Sequence, residues 1–301
     1  MYLPQQDIAV QTPRLVHCGQ FTDSCSPRYR VAETLLEKGS GPLIEDELAF
    51  NDTTCVVCDG ATSLQQAAEQ CSTGTSGGQQ AARIGAAAFT AATGSSLRES
   101  ARQANQQIRA QMAQAGVDLG CREQLWSTSL AAVQIHGHRV DWCQIGDCVI
   151  LLIFDDGSSR LLSRLPAQDE QVLKTWQAIG ADVHGSIHQE LAGEIAAVRR
   201  QTNRLFGSLN GEDEALDFLA RGSLEDERIS DILLFTDGLF PPSPDPAMPL
   251  DRDKLVRLYR SAGLGEVRNY IRRVQCDDPR CLRYPRFKMF DDIGAIALRR
   301  T

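Results

Sequence analysis

Two short stretches of the chain share one grammar: Thr54-Cys55-Val56-Val57-Cys58-Asp59-Gly60 and Ile232-Leu233-Leu234-Phe235-Thr236-Asp237-Gly238. Each is an apolar run of strand length that stops at Asp-Gly. Such a run is stable when buried, and the Asp falls where the strand would leave the core. Two such strands side by side would bring two carboxylates together at one end of a sheet. Like charges held that close repel unless a cation lies between them. The stretches are too far apart in sequence for a hairpin, so their meeting is a long-range contact. The pattern predicts a fold organised around a carboxylate metal site.

The remaining sequence reads as grouped strands and helices. Residues 1–40 contain turn-rich polar material such as Thr22 to Arg28. Leu43 to Phe50 reads as a strand carrying the acidic pair Glu45-Asp46, and Thr54 to Cys58 as the next. Ser63 to Ser76 is a polar connection, followed by an Ala-rich helix over Gly78–Thr93 and an amphipathic one over Ser96–Ala115. Strands at Ser127–Ile135, Val140–Gln144 and Cys148–Phe154 are punctuated by Gly137-His138, Gly146-Asp147 and Asp155-Asp156-Gly157. Residues 167–180 and 187–200 and Asp213–Ala220 read as helices, and Ile229–Phe235 as a strand. Prolines from Pro241 to Pro249 exclude regular structure. Helices over Asp251–Ser261 and Gly265–Val274 and a strand over Ile293–Leu298, preceded by Asp291-Asp292, complete the chain. Such grouping predicts an α+β fold with largely antiparallel sheets.

Composition narrows the function. The 301 residues are 42% hydrophobic, ample for a core, and 6% aromatic, so that core is mostly aliphatic. The formal net charge of −8 disfavours a non-specific nucleic-acid binder, although local basic patches occur at Arg199, Arg200 and Arg204 and from Arg280 to Lys288. The opening residues lack the pattern of a signal peptide. The longest strongly apolar run, Val149 to Phe154, is far short of the ~20 residues of a spanning helix. The expectation is a cytoplasmic protein with no membrane and no nucleic-acid partner. Of ten cysteines, Cys55 and Cys58 form a C-x-x-C pair inside a strand, where they point to opposite faces. They are expected to be reduced, small apolar side chains, together with Cys143 and Cys148. His136-Gly137-His138 reads as a hairpin tip, and His184 and His188 lack the acidic partner of a helical zinc motif.

Asp46, Asp59, Asp147, Asp237 and Asp291 each lie in or beside a strand, next to a Gly or a second acid. Alone, each reads as a turn or a solvated strand edge. Their joint order carries more, because the chain resembles the metal-dependent protein phosphatases of the protein phosphatase 2C family. The matching stretches are IEDELAF, CVVCDGATS, SGGQQAA, STSLAAVQIHGHRVDWCQIGDCVILL, TNRLFGS, SDILLFTDGLF and FDDIGAIALRR, in the family's order over roughly residues 40–300.

The resemblance implies a four-layer αββα sandwich: two antiparallel sheets flanked by helix pairs, in one catalytic domain over residues 1–301, with 1–40 as an N-terminal segment. It implies two Mn²⁺ or Mg²⁺ ions, with a place for a third. Asp59 would bridge the two, with the Gly60 carbonyl on one. Asp237 and Asp291 would hold one ion, Glu45 or Asp46 would act on the second mainly through waters, and Asp147 would help hold the third with Asp237. An all-oxygen set suits these hard ions better than zinc. Asp59 and Asp237 are then the catalytic acids, and the nucleophile is an activated water. The implied activity is hydrolysis of a phosphomonoester, foremost phosphoserine or phosphothreonine on a protein, in a bacterial-type signalling phosphatase. A small phosphorylated metabolite as substrate, and a catalytically silent binding module, are the alternatives. The chain departs from the family at phosphate docking. No Arg stands in the stretch just before the first acidic pair, which reads Gly39-Ser40-Gly41-Pro42-Leu43, and Lys38 is the nearest base. Ala61 follows the first Asp-Gly, and Asp292 replaces the terminal Asn. Lys38 and Arg204 are the candidate phosphate-binding cations.

Overall fold

The two apolar Asp-Gly runs form inner strands of two facing sheets. The computed structural model describes residues 29–61, 74–91, 94–180, 185–225, 228–248 and 250–301. The expected connection over Ser63–Ser76 lies almost entirely outside these residues, as do Thr93 and His184.

The strands are β1 (Tyr29–Glu37), β2 (Glu47–Phe50), β3 (Thr54–Ala61), β4 (Ser127–His136), β5 (Arg139–Ile145), β6 (Val149–Phe154), β7 (Ser159–Leu161), β8 (Ala220–Leu224), β9 (Ile229–Phe235) and β10 (Ile293–Arg300). One five-stranded sheet has the order β1-β10-β9-β6-β7 and the other β2-β3-β4-β5-β8. Every pairing is antiparallel.

Helices α1 (Gly77–Ala91) and α2 (Leu97–Gln114) cover the β3 sheet. The long helix α6 (Arg252–Cys276) covers the β9 sheet and is broken at Ala262-Gly263. Gly263 there has φ 78°, and Leu264 N donates to Glu33 of β1 at 2.8 Å. Three short helices, α3 (Glu170–Ile179), α4 (Ile187–Glu190) and α5 (Ala192–Arg199), form a satellite with its own small core around Trp176 and Leu191. The sandwich of two antiparallel sheets between helices is the expected architecture. No helix among the described residues is long and apolar enough to cross a membrane.

Residue alternation explains why the runs are apolar throughout. Val56 and Cys58 pack under α1 and α2, whereas Cys55 and Val57 face the other sheet. Leu233 and Phe235 pack under α6, whereas Ile232 and Leu234 face inward. A strand covered on both faces needs no polar positions. The same fact corrects one expectation. β3 and β9 do not lie side by side in one sheet. Each is interior to its own sheet, and their Asp ends meet across the sandwich.

Other boundaries also differ. β1 lies within the stretch read as turn-rich, its pattern masked by Glu33 and by Glu37, which pairs with Arg268 and Arg272. Leu43 to Asp46 is not strand; Asp46 turns inward, and β2 starts at Glu47. Asp213–Phe218 is a 3₁₀ turn that leads into the edge strand β8.

Cys55, Cys58, Cys143 and Cys148 are buried free thiols, and burial pushes their pKa values up, that of Cys55 to about 12. Cys276 is exposed. Brief alkylation of the folded protein should therefore label Cys276 and leave these four cysteines unlabelled until denaturant is added, as read by mass spectrometry. Labelling of Cys55 or Cys58 under native conditions, or zinc bound to them, would contradict this packing.

Candidate metal centre

Five segments deliver acids to one end of the sandwich. Asp59 closes β3, Asp237 follows β9, Asp291 precedes β10, Asp147 sits in the β5–β6 turn, and Glu45-Asp46 lies before β2. The glycines after the two strand-end acids are dictated by close backbone packing. A Cβ on Gly60 would lie 2.3 Å from the Gly78 carbonyl oxygen at the start of α1. A Cβ on Gly238 would lie 1.8 Å from the Asp292 carbonyl oxygen. Any side chain at either position would push the neighbouring acids apart.

Hydrogen bonds hold the other acids in place. Thr236 Oγ1 donates to Asp46 Oδ2 at 2.7 Å and accepts from Gly294 N at 3.0 Å. Ser76 donates to Glu45 Oε1 at 2.5 Å, and Gly60 N donates to the Glu45 carbonyl at 3.2 Å. Gln168 Nε2 donates to Asp147 Oδ2 at 3.1 Å, and the Ser129 hydroxyl also bonds Asp147. Asp291 Oδ1 accepts from Asp292 N at 2.8 Å and from Lys288 Nζ at 2.7 Å.

Asp292 is a clamp. Its two carboxylate oxygens accept Gly39 N at 2.6 Å and Glu45 N at 2.8 Å. Both partners are donors, so a group with two acceptors fits the place and an amide would present one donor to a donor.

The cluster is electrostatically loaded. Burial pushes the Asp59 carboxyl well above the usual range, and the charges of Asp46, Asp237, Asp147 and Asp291 push it further. Burial also raises Asp237, with Asp291, Asp147 and Asp46 adding to it. Asp46 is raised by burial, against the pull of its bond from Thr236, and Asp147 by burial against its bond from Ser129. Among the described residues, no group of three or more His, Cys, Asp and Glu side chains is assembled into a cage that could hold an ion as it stands. In donor chemistry the cluster nonetheless suits a hard divalent cation: its donors are all oxygens, and their mutual repulsion needs positive charge. Lys288 already brings one such charge, facing Asp291, Asp292 and Asp59.

Glu45, Asp46, Asp59, Gly60, Asp147, Asp237 and Asp291 thus converge in one region. The two phosphate candidates do not join them. Lys38 is exposed, with Nζ donating to the Pro42 carbonyl at 3.3 Å, and Arg204 is exposed. Neither lines the cavity of about 180 Å³ beside the acids, whose walls include Asp147, Gln168, Asp169, Asp237, Phe240 and Lys288. His136 and His138 lie exposed at a hairpin tip, and His188 packs its ring on Phe287 with centroids 5.7 Å apart.

Sequence reading missed Lys288 and Asp169. Lys288 sits in a basic run with nothing to set it apart from Arg283, and Asp169 has no motif around it. Burial and then the charge of Asp147 push the Asp169 carboxyl to about 7, against the pull of Arg199. An unfolded chain releases that proton near pH 4. Between those values the folded state holds more protons than the unfolded one, so this group's contribution to stability falls as pH rises from about 4 to about 7. In chelator, Asp169→Asn should melt level with the parent protein at pH 4 and at least about 2 °C above it at pH 8. Equal melting temperatures at both pH values would contradict the assignment.

A sequence profile described as protein phosphatase 2C matches residues 40–263. A search of curated proteins finds no match. Solved structures share the fold. The catalytic domain of the serine/threonine protein phosphatase PstP, in complex with two manganese ions, is 17% identical, with 90% of this chain and 97% of that one covered at a TM-score of 0.55. PppA of Pseudomonas aeruginosa is 18% identical, covering 91% and 98% at 0.54. Stp1 of Staphylococcus aureus, a serine/threonine phosphatase, is 13% identical, covering 95% and 99% at 0.53. The matched profile spans most of the sequence: the chain belongs to the protein phosphatase 2C family of metal-dependent phosphatases.

Proposed function

We propose that the protein hydrolyses phosphoserine and phosphothreonine monoesters on proteins, using two Mn²⁺ or Mg²⁺ ions held by the acidic centre, with room for a third. The observation that carries the proposal is the convergence of Asp59 and Asp237 from facing sheets into one buried, mutually repelling carboxylate cluster. A cytoplasmic setting and a single catalytic domain belong to the same reading.

In this reading Asp59 would serve both ions, with the Gly60 carbonyl beside it. Asp237 and Asp291 would hold one ion, Glu45 or Asp46 would serve the other, and Asp147 with Asp237 would hold the third. Bound ions of this kind supply Lewis acidity and a water acidic enough to attack phosphorus at neutral pH. The chain's own contribution is orientation. Thr236 and Ser76 fix the carboxylates of Asp46 and Glu45, Asp292 ties the Glu45 backbone to the start of β10, and burial of the acids keeps bulk water from screening them. A small phosphorylated metabolite is the second reading, favoured by the missing Arg before the first acidic pair and by the absence of Lys38 and Arg204 from the cavity lining.

Two measurements test the proposal. Hydrolysis of p-nitrophenyl phosphate should require Mn²⁺ or Mg²⁺ and stop in chelator, and Asp59→Asn or Asp237→Asn should lower kcat/KM by about a hundredfold or more. Turnover that persists in chelator would rule the mechanism out, and absence of turnover in the metal-loaded protein would favour a silent binding module. A phosphothreonine peptide should be hydrolysed with a higher kcat/KM than phosphorylated sugars; the reverse order would favour the metabolite reading.

A further inference from the structure

In the basic run from Arg280 to Lys288, Arg280 and Arg283 are exposed, whereas Arg286 and Lys288 are half-buried. Asp278 accepts the backbone N–H groups of Leu282, Arg283 and Tyr284 at 3.1, 3.2 and 2.9 Å, and the Arg286 guanidinium at 2.9 Å. Arg286 also donates to the carbonyls of Gln275, Asp278, Tyr284 and Met289. On the far side of Lys288, Ser40 N and Oγ donate to the Phe290 carbonyl at 2.9 and 3.0 Å, and Arg272 donates to the Asp291 carbonyl at 2.7 Å. The backbone is thus pinned before and after Lys288. What this knot delivers is one ammonium, 2.7 Å from Asp291 Oδ1, with its side chain only 34% exposed.

An ammonium carries three N–H donors. Asp291 accepts from Lys288, and no other protein acceptor bonds it among the described residues. Lys288 lines the same cavity as Asp147, Asp237 and Asp291. The other cation lining that cavity, Arg286, has its guanidinium committed to Asp278 and the surrounding carbonyls. A phosphomonoester entering the cavity brings close to two negative charges up to a cluster of carboxylates. A protein cation on the cavity wall would offset part of that charge. Lys38 and Arg204 are not on the cavity wall; Lys288 is.

We propose that Lys288 is the phosphate-binding cation of this site, held by Asp291 so that its free N–H groups bond a phosphoryl oxygen of the bound phosphomonoester. The proposal rests on the phosphatase reading above. Lys288 makes no covalent bond and exchanges no proton in it. The competing role is that of a tethered counter-ion, which neutralises the acids and never meets the substrate.

Calorimetric titration of inorganic phosphate into the Mn²⁺-saturated protein distinguishes the two. Lys288→Met and Lys288→Gln should each weaken phosphate binding at least tenfold and raise KM for p-nitrophenyl phosphate by a similar factor, with kcat moving less. Lys288→Arg should restore phosphate binding to within about threefold of the parent. Two neutral variants are used so that a folding defect in one, read from its melting temperature, leaves the other informative. Parent-like phosphate affinity in both would overturn the proposal, and tighter Mn²⁺ binding alongside it would identify a counter-ion instead. The wider reading is tested separately, by Mn²⁺ titration of the parent protein: if that protein binds no Mn²⁺, the phosphatase reading fails and the phosphate clamp fails with it.

Discussion

The structure depends on a repulsion that its own neighbouring ammonium, Lys288 at Asp291, offsets only in part. Asp46, Asp59, Asp147, Asp237 and Asp291 are brought to one end of the sandwich, and each raises the cost of ionising another. Folding alone gains nothing from such a cluster, since a buried charge without a partner is destabilising by several kcal/mol. The arrangement becomes favourable when cations share the space, and the family to which the chain belongs is metal-dependent.

Much of the surrounding architecture serves to keep those acids close. Two interior strands with apolar side chains on both faces anchor Asp59 and Asp237 in opposite sheets. Glycines at 60 and 238 allow backbone to pass where any Cβ would collide. Asp292 ties the loop before β2 to the start of β10 through two backbone donors, and Thr236 ties Asp46 to Gly294. The start of α3 with the loop before it, and the loop after α6, then wall the cavity through which a substrate would approach, and they contribute Asp169 and Lys288.

What could be read from the sequence follows the same division. The Asp-Gly strands, α1, α2 and the acids were legible because burial on both faces leaves an unbroken apolar run and a Gly stands where backbone crowds backbone. The sheet assignment was not, because an apolar run says that a strand is covered and not by which neighbour. β1 was hidden by Glu33 and Glu37, whose carboxylates bond α6 and so break the alternation that marks a strand. The role of Asp292 was invisible because it depends on donors from Gly39 and Glu45, far away in sequence. Lys288 was read as part of a surface patch; only the loop that pins it turns it inward. Lys38 and Arg204 stand next to motifs in the sequence, and proximity carries no information about the direction of a side chain.

The central claim is that facing strands deliver a shared cation site. Crystals grown with Mn²⁺ and measured on both sides of the manganese absorption edge test it directly. Anomalous density between Asp59 and Asp237, with carboxylate oxygens at about 2.0–2.6 Å from each peak, is the expected result. Peaks confined to surface carboxylates, with Asp59 and Asp237 left bare at the same Mn²⁺ concentration, would contradict it.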